Sequence, residues 1–122
     1  MKVAGLGFRT EATIASLRDA LAAAGGVSGI SALATSEAKA GAATIVALAA
    51  ELGLPVVGVS AVELATQATL TDSARVRAKT GAGSLAEAAA LAVVGSNARL
   101  LGPRAVSPDH MATAAIAVGV AT

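Results

Sequence analysis

A chain of 122 residues is the size of one compact domain, and 55% apolar residues against 14% charged ones can give it a core without staples. Its formal net charge of +1 and single aromatic residue, Phe8, exclude the basic footprint and stacking platforms of a nucleic-acid binder. With no cysteine, disulfides, thiolate chemistry and thiolate metal sites are excluded too, and a single histidine leaves few nitrogen ligands for zinc.

The first six elements follow one rhythm. "KVAGLGF", residues 2–8, reads as a buried strand, and its continuous apolar character suits a parallel sheet covered on both faces. Thr10 reads as the cap of a helix in which Ile14, Leu17 and Leu21 recur at helical spacing while Arg18 and Asp19 face away. The glycine pair at 25 and 26 ends it. "ISALATS", residues 30–36, is a second strand. A second helix is expected over 41–52, with Ile45, Leu48 and Leu52 on one face and Gly53 closing it, and "LPVVGVS" supplies a third strand. Alternating strands and helices with short links predict a parallel sheet. Ser60 then caps a short helix in "SAVELATQ".

The second half is less regular. "ATLTDSARVRAKTGAGS" is polar and loop-like around a short helix at about 73–80. Ser84 and Glu87 stand at the spacing of a capping box and open a helix that ends at Gly95. "ARLLGPRAVSPDHMATAAIAVGV" reads as two strands, 98–102 and 112–120, joined by a loop holding Pro103 and Pro108. That link is too short for a parallel crossover, so the pair is antiparallel. The expected fold class is α/β: a three-layer α/β/α domain spanning 1–122, with a mostly parallel sheet of about five strands and an antiparallel C-terminal pair. No charge-free run reaches the length of a membrane span, and the start lacks the apolar stretch of a signal peptide, so a cytoplasmic protein is expected.

Charge is unevenly placed. Residues 1–65 carry four bases against five acids, and residues 66–122 five bases against three acids, concentrated in Arg75, Arg77 and Lys79 and joined by Arg99 and Arg104. So modest a patch matches an acidic small molecule. The opening stretch "GLGFRT" lies where a strand gives way to a helix, a place that favours anions. There Gly5 and Gly7 would allow close backbone approach, Arg9 a bidentate contact, and Thr10 a cap; the plain alternative is an ordinary tight turn. As a dinucleotide fingerprint it is incomplete, because Thr10 occupies the third glycine position and Glu37 lies beyond the usual spacing of its acidic partner. Glu37 and Lys39 follow the second strand on the same carboxyl edge, where open α/β sheets bind ligands, and Thr35 lies beside them. The basic cluster runs into Gly81, Gly83 and Ser84, a second glycine-rich turn before a helix. His110 is the only obvious general base, and no nucleophile elbow is present, so no mechanism is legible from residue chemistry alone.

Five ordered segments carry more. "GLGFRTEATIASLRDAL", "ISALATSEAKAG", "LAAELGLPVVGVSAVEL", "DSARVRAKTGAGSLAEAAAL" and "TAAIAV" together resemble the cobalamin-biosynthesis family that comprises CobE and the C-terminal domain of CbiG. The likeness spans nearly the whole chain. Members usually carry a cysteine in the opening turn, where this chain has Phe8, so a mechanism requiring that cysteine is excluded. Where relatives offer a lysine in the final loop, this chain has Arg104. Because the chain begins at the first strand of the domain, it looks like the stand-alone form of the aerobic pathway.

The resemblance implies a precorrin or corrin intermediate as ligand, an apolar macrocycle rimmed by acetate and propionate groups. Gly5, Gly7, Arg9, Thr10, Thr35, Lys39, Arg75, Lys79, Gly81, Gly83, Ser84 and Arg104 would form its rim. It implies no resident cofactor or metal, and as partners the intermediate itself and other enzymes of the pathway, with neither nucleic acid nor membrane. Two alternatives stay open: a hydrolase acting on such an intermediate, by analogy with the lactone opening and acetaldehyde release of CbiG, and a nucleotide-binding α/β domain.

Overall fold

The computed structural model describes residues 1–67, 84–95 and 97–119. Strand β1 (Lys2–Phe8) leads to helix α1 (Ile14–Ala24), strand β2 (Ala32–Ser36), the short helix α2 (Glu37–Ala40), helix α3 (Ala43–Leu52), strand β3 (Val56–Val59) and the short helix α4 (Ala61–Ala65). Helix α5 (Leu85–Val94) follows, then strands β4 (Ala98–Leu100), β5 (Ala105–Val106) and β6 (Ala112–Gly119). The expected helix at 73–80 lies outside the described residues.

The six strands form one sheet in the order β3-β2-β1-β6-β4, with β5 also paired to β6. Strand β1 runs parallel to β2, and β2 to β3, so this edge has the expected parallel character. Elsewhere the sheet is antiparallel. The C-terminal pair β4 and β6 is antiparallel as its short link requires, and the link contains a further two-residue strand, β5. Strand β6 also lies along the whole of β1, from Lys2 opposite Val118 to Phe8 opposite Ala112. It thereby ties the last element of the chain to the first.

Helices cover both faces. Alternation along β1 sends Ala4 and Leu6 to one side, where they meet Leu17 and Leu21 of α1 and Ile45 and Leu48 of α3. Val3 points the other way and packs with Ala34, Val59 and Leu64 against Leu85, Ala88 and Ala89 of α5. Gly5 faces the same side. A Cβ built there would stand 1.9 Å from the carbonyl oxygen of Ala86 and 2.9 Å from the nitrogen of Ala90, so α5 lays its backbone directly on the strand. Only glycine permits that approach.

Local chemistry sets the helix ends. Helix α1 starts later than expected: Thr13, not Thr10, is its cap, its Oγ1 accepting from the amide of Ser16 at 3.2 Å while Ser16 Oγ accepts from the amide of Thr13 at 3.1 Å. The reason is a turn just before it, closed by the Ala12 amide donating to Arg9 O at 3.0 Å. The expected second helix is α3, which begins at Ala43, and the short α2, not foreseen in the sequence, precedes it and ends at Gly41; Gly53, with φ of 70°, closes α3 in the left-handed region. Ser60 and Ser84 cap α4 and α5 as their spacing requires. Glu87 departs from its expected capping role: only its amide bonds to Ser84, while its fully buried carboxylate accepts from the amide of Arg104 at 2.7 Å.

Candidate functional site

All three parallel strands end at one edge of the sheet, and the start of β6 returns to that edge opposite Phe8. A cleft of about 1100 Å³ opens there. One wall is the exit of β1, from Gly7 to Glu11. A second is the exit of β2 with α2, from Ser36 to Lys39. The C-terminal hairpin contributes Arg104, Val106 and the turn from His110 to Thr113, while Val59, Leu64 and Leu85 supply apolar surface. Ligands of open α/β sheets sit outside the carboxyl ends of the strands, so the location is the one this architecture favours.

The cleft is cationic on balance. Arg9, Lys39 and Arg104 line it against the carboxylates of Glu11 and Glu37. Lys39 is held in place: its Nζ donates to the carbonyl of Phe8 at 2.6 Å and lies 4.9 Å from the centre of the Phe8 ring. A cation over an aromatic face is favourable, and the contact fixes a positive charge between the exits of β1 and β2. Arg9 is exposed, but its amide donates to Met111 O at 2.9 Å, which anchors the backbone from which its guanidinium extends. Arg104 is positioned through its own amide by the buried carboxylate of Glu87.

The residues singled out in the sequence divide into three groups. Gly7, Arg9, Thr10, Lys39 and Arg104 do meet at the cleft. Three others serve the fold. Gly5 is buried in mid-strand beneath α5, Ser84 is the buried cap of α5, and Thr35 is fully buried with its hydroxyl donating to Leu6 O at 2.7 Å. Arg75, Lys79, Gly81 and Gly83 lie outside the described residues. Both glycines of the opening stretch belong to β1, which continues to Phe8, so they form no loop at a helix N-terminus and the dinucleotide geometry is missing.

The sequence singles out His110 in the C-terminal turn as the only obvious general base but gives no weight to its neighbour Asp109. His110 lines the cleft with a φ of 61°, a left-handed backbone uncommon outside glycine. Beside it, Asp109 accepts from Ser16 Oγ at 2.5 Å, from Ser107 Oγ at 2.6 Å and from the Met111 amide at 3.0 Å. The two hydroxyls and then the amide hold its carboxyl down at about 2, below the ordinary 3.8. An acidic residue flanked by proline and histidine in a loop was a weak signal, because its partner Ser16 stands 93 positions away. Among the described residues no three His, Cys, Asp or Glu side chains gather where they could hold a metal ion, and no helix is long and apolar enough to cross a membrane.

Fold and cleft define the class: a mixed α/β protein with a cation-lined cleft at the carboxyl ends of its parallel strands. The chain belongs to the family described as cobalamin synthesis G C-terminus, whose model matches residues 2–117. It is 30% identical to CobE, a protein from the cobalamin (vitamin B12) biosynthetic pathway, over 96% of this chain and 89% of that one, with a TM-score of 0.80. It is 33% identical to the cobalamin biosynthesis protein chiG from Agrobacterium tumefaciens str. C58, over 99% of this chain and all of that one, with a TM-score of 0.74. No curated protein matches the chain.

Proposed function

We propose that this protein acts in cobalamin biosynthesis by binding a carboxylate-rich precorrin or corrin intermediate in the cleft. The observation that carries the reading is the placement of Arg9, Lys39 and Arg104 around apolar surface from Val59, Leu64 and Leu85. A macrocycle with acetate and propionate arms needs that combination, since its ring is stabilised by apolar contact and its arms by dispersed positive charge. Size agrees. At about 1100 Å³ the cleft stands just above the range of about 300–1,000 Å³ usual for small-molecule sites, which suits a large ring better than a metabolite of a few carbons. Membership of the family and likeness to CobE supply the pathway.

Spectroscopic titration with hydrogenobyrinic acid and neighbouring precorrins tests this reading. Saturable shifts of the visible bands are expected, weakened tenfold or more, about 1.4 kcal/mol, when Arg9 and Arg104 are both replaced by alanine. Binding unaffected by the double substitution would move the site elsewhere. Release of acetaldehyde from a cobalt-containing precorrin would replace the carrier role with a hydrolytic one.

A further inference from the structure

We propose that Asp109 is the positioning residue of the cleft: its carboxylate locks the turn between β5 and β6 onto the start of α1 and so holds His110 and the Arg9 backbone toward the ligand. The inference rests on reading the cleft as a binding site. Its geometry is a closed circuit. Ser16 and Ser107, each about 1% exposed, direct their hydroxyls at the two oxygens of Asp109. Ser16 belongs to the reciprocal cap that begins α1. The amide of Met111 donates to the same carboxylate, and the carbonyl of Met111 accepts from the amide of Arg9. Helix start, hairpin turn and β1 exit are thus joined through one side chain.

The turn has more bonds than a hairpin needs. The Ser107 amide donates to Ala112 O and the His110 amide to Ser107 O, both at 2.9 Å, and Ser107 Oγ also accepts from the Ala112 amide at 3.0 Å. That alone would close the loop. The bond from Ser16 adds nothing to the closure; it fixes the turn relative to α1. What the turn holds is His110 in a left-handed conformation where glycine or asparagine would be relaxed. Strained backbone persists where its surroundings over-determine it, and such positions collect at ligand-binding sites. The chain's single imidazole thereby faces the cleft with its backbone fixed.

Two measurements on the intact chain test the lock, using Asp109→Ala, Asp109→Asn and a remote control, Leu48→Ala, in the core between α1 and α3. The first is amide hydrogen exchange at His110 and Arg9, neither of which touches the carboxylate. Asp109→Ala should speed both at least tenfold, with Asp109→Asn between it and the unsubstituted protein. The second is titration with hydrogenobyrinic acid. Asp109→Ala should weaken binding about tenfold, as should His110→Ala, with the double substitution little worse than either, whereas Leu48→Ala should lower Tm and leave affinity unchanged. Unchanged exchange at His110 and Arg9, or full affinity in Asp109→Ala, overturns the proposal. If the unsubstituted protein binds no intermediate, the functional reading fails instead, and the exchange measurement still decides whether Asp109 holds the turn.

Discussion

The two faces of the sheet are covered by different means. On one, α1 reaches β1 through Leu17 and Leu21, side chains that fill the space between helix and strand. On the other, α5 is so rich in alanine that Ala86, Ala88, Ala89 and Ala90 are all fully buried, and Gly5 lets its backbone touch the sheet. The first face tolerates adjustment because side chains can shift. Where α5 crosses Gly5 the second has no side chain to shift, so tolerance there is set by the backbone itself. This difference bears on the cleft, since α5 supplies Leu85 and, through Glu87, the placement of Arg104.

The comparison can be broken most severely at Gly5. Gly5→Val adds three atoms where even the first overlaps the Ala86 carbonyl. The loss should approach the whole stability of a small domain, about 5 kcal/mol or more, read as failure to recover folded protein by circular dichroism. On the opposite face Leu17→Ala should cost about 3 kcal/mol in denaturant unfolding and still fold, because the vacated space can partly collapse. Equal losses at the two sites would erase the distinction. Glu87→Ala leaves the Arg104 amide without this acceptor and should cost about 1–3 kcal/mol. Loss of ligand affinity beyond that of Ser84→Ala, a cap removal worth about 1 kcal/mol, would show that Glu87 also places Arg104.

Smaller effects come from the exposed charges. Asp109 is held at about 2 in the folded protein against an ordinary 3.8, so it binds protons more weakly folded than unfolded. Its stabilisation is therefore present above about pH 4 and fades as pH falls through 2. Asp109→Asn should be less stable than the unsubstituted protein at neutral pH, with the gap closing on acidification; a gap independent of pH would remove the ionised carboxylate from the account. The exposed pair of Arg18 and Glu51 bridges α1 and α3 in solvent, and Arg18→Ala should leave Tm unchanged within error.

Much of this architecture is legible without coordinates because its causes are local. Ile14, Leu17 and Leu21 repeat at helical spacing, Ser60 and Ser84 carry the chemistry of caps, and a link of some ten residues cannot return a strand in parallel. The carboxyl edge follows from the order of strands and helices, and with it the placing of Gly7, Arg9 and Lys39 there. Thr10 was misplaced as a cap because a turn between Phe8 and Thr13, invisible in the spacing, delays the helix.

What tertiary structure alone decided lies in pairs distant along the chain. Strand β6 settles beside β1 over seven residue pairs, Glu87 turns to Arg104 17 positions on, and Asp109 reaches Ser16 across 93. Gly5, equally suited by sequence to a ligand turn, becomes the point where a helix backbone meets the sheet. Periodicity and capping act within a few residues, so sequence determined the elements and the edge at which a site would form. Which groups face one another across that edge depended on long-range packing, which has no local signature.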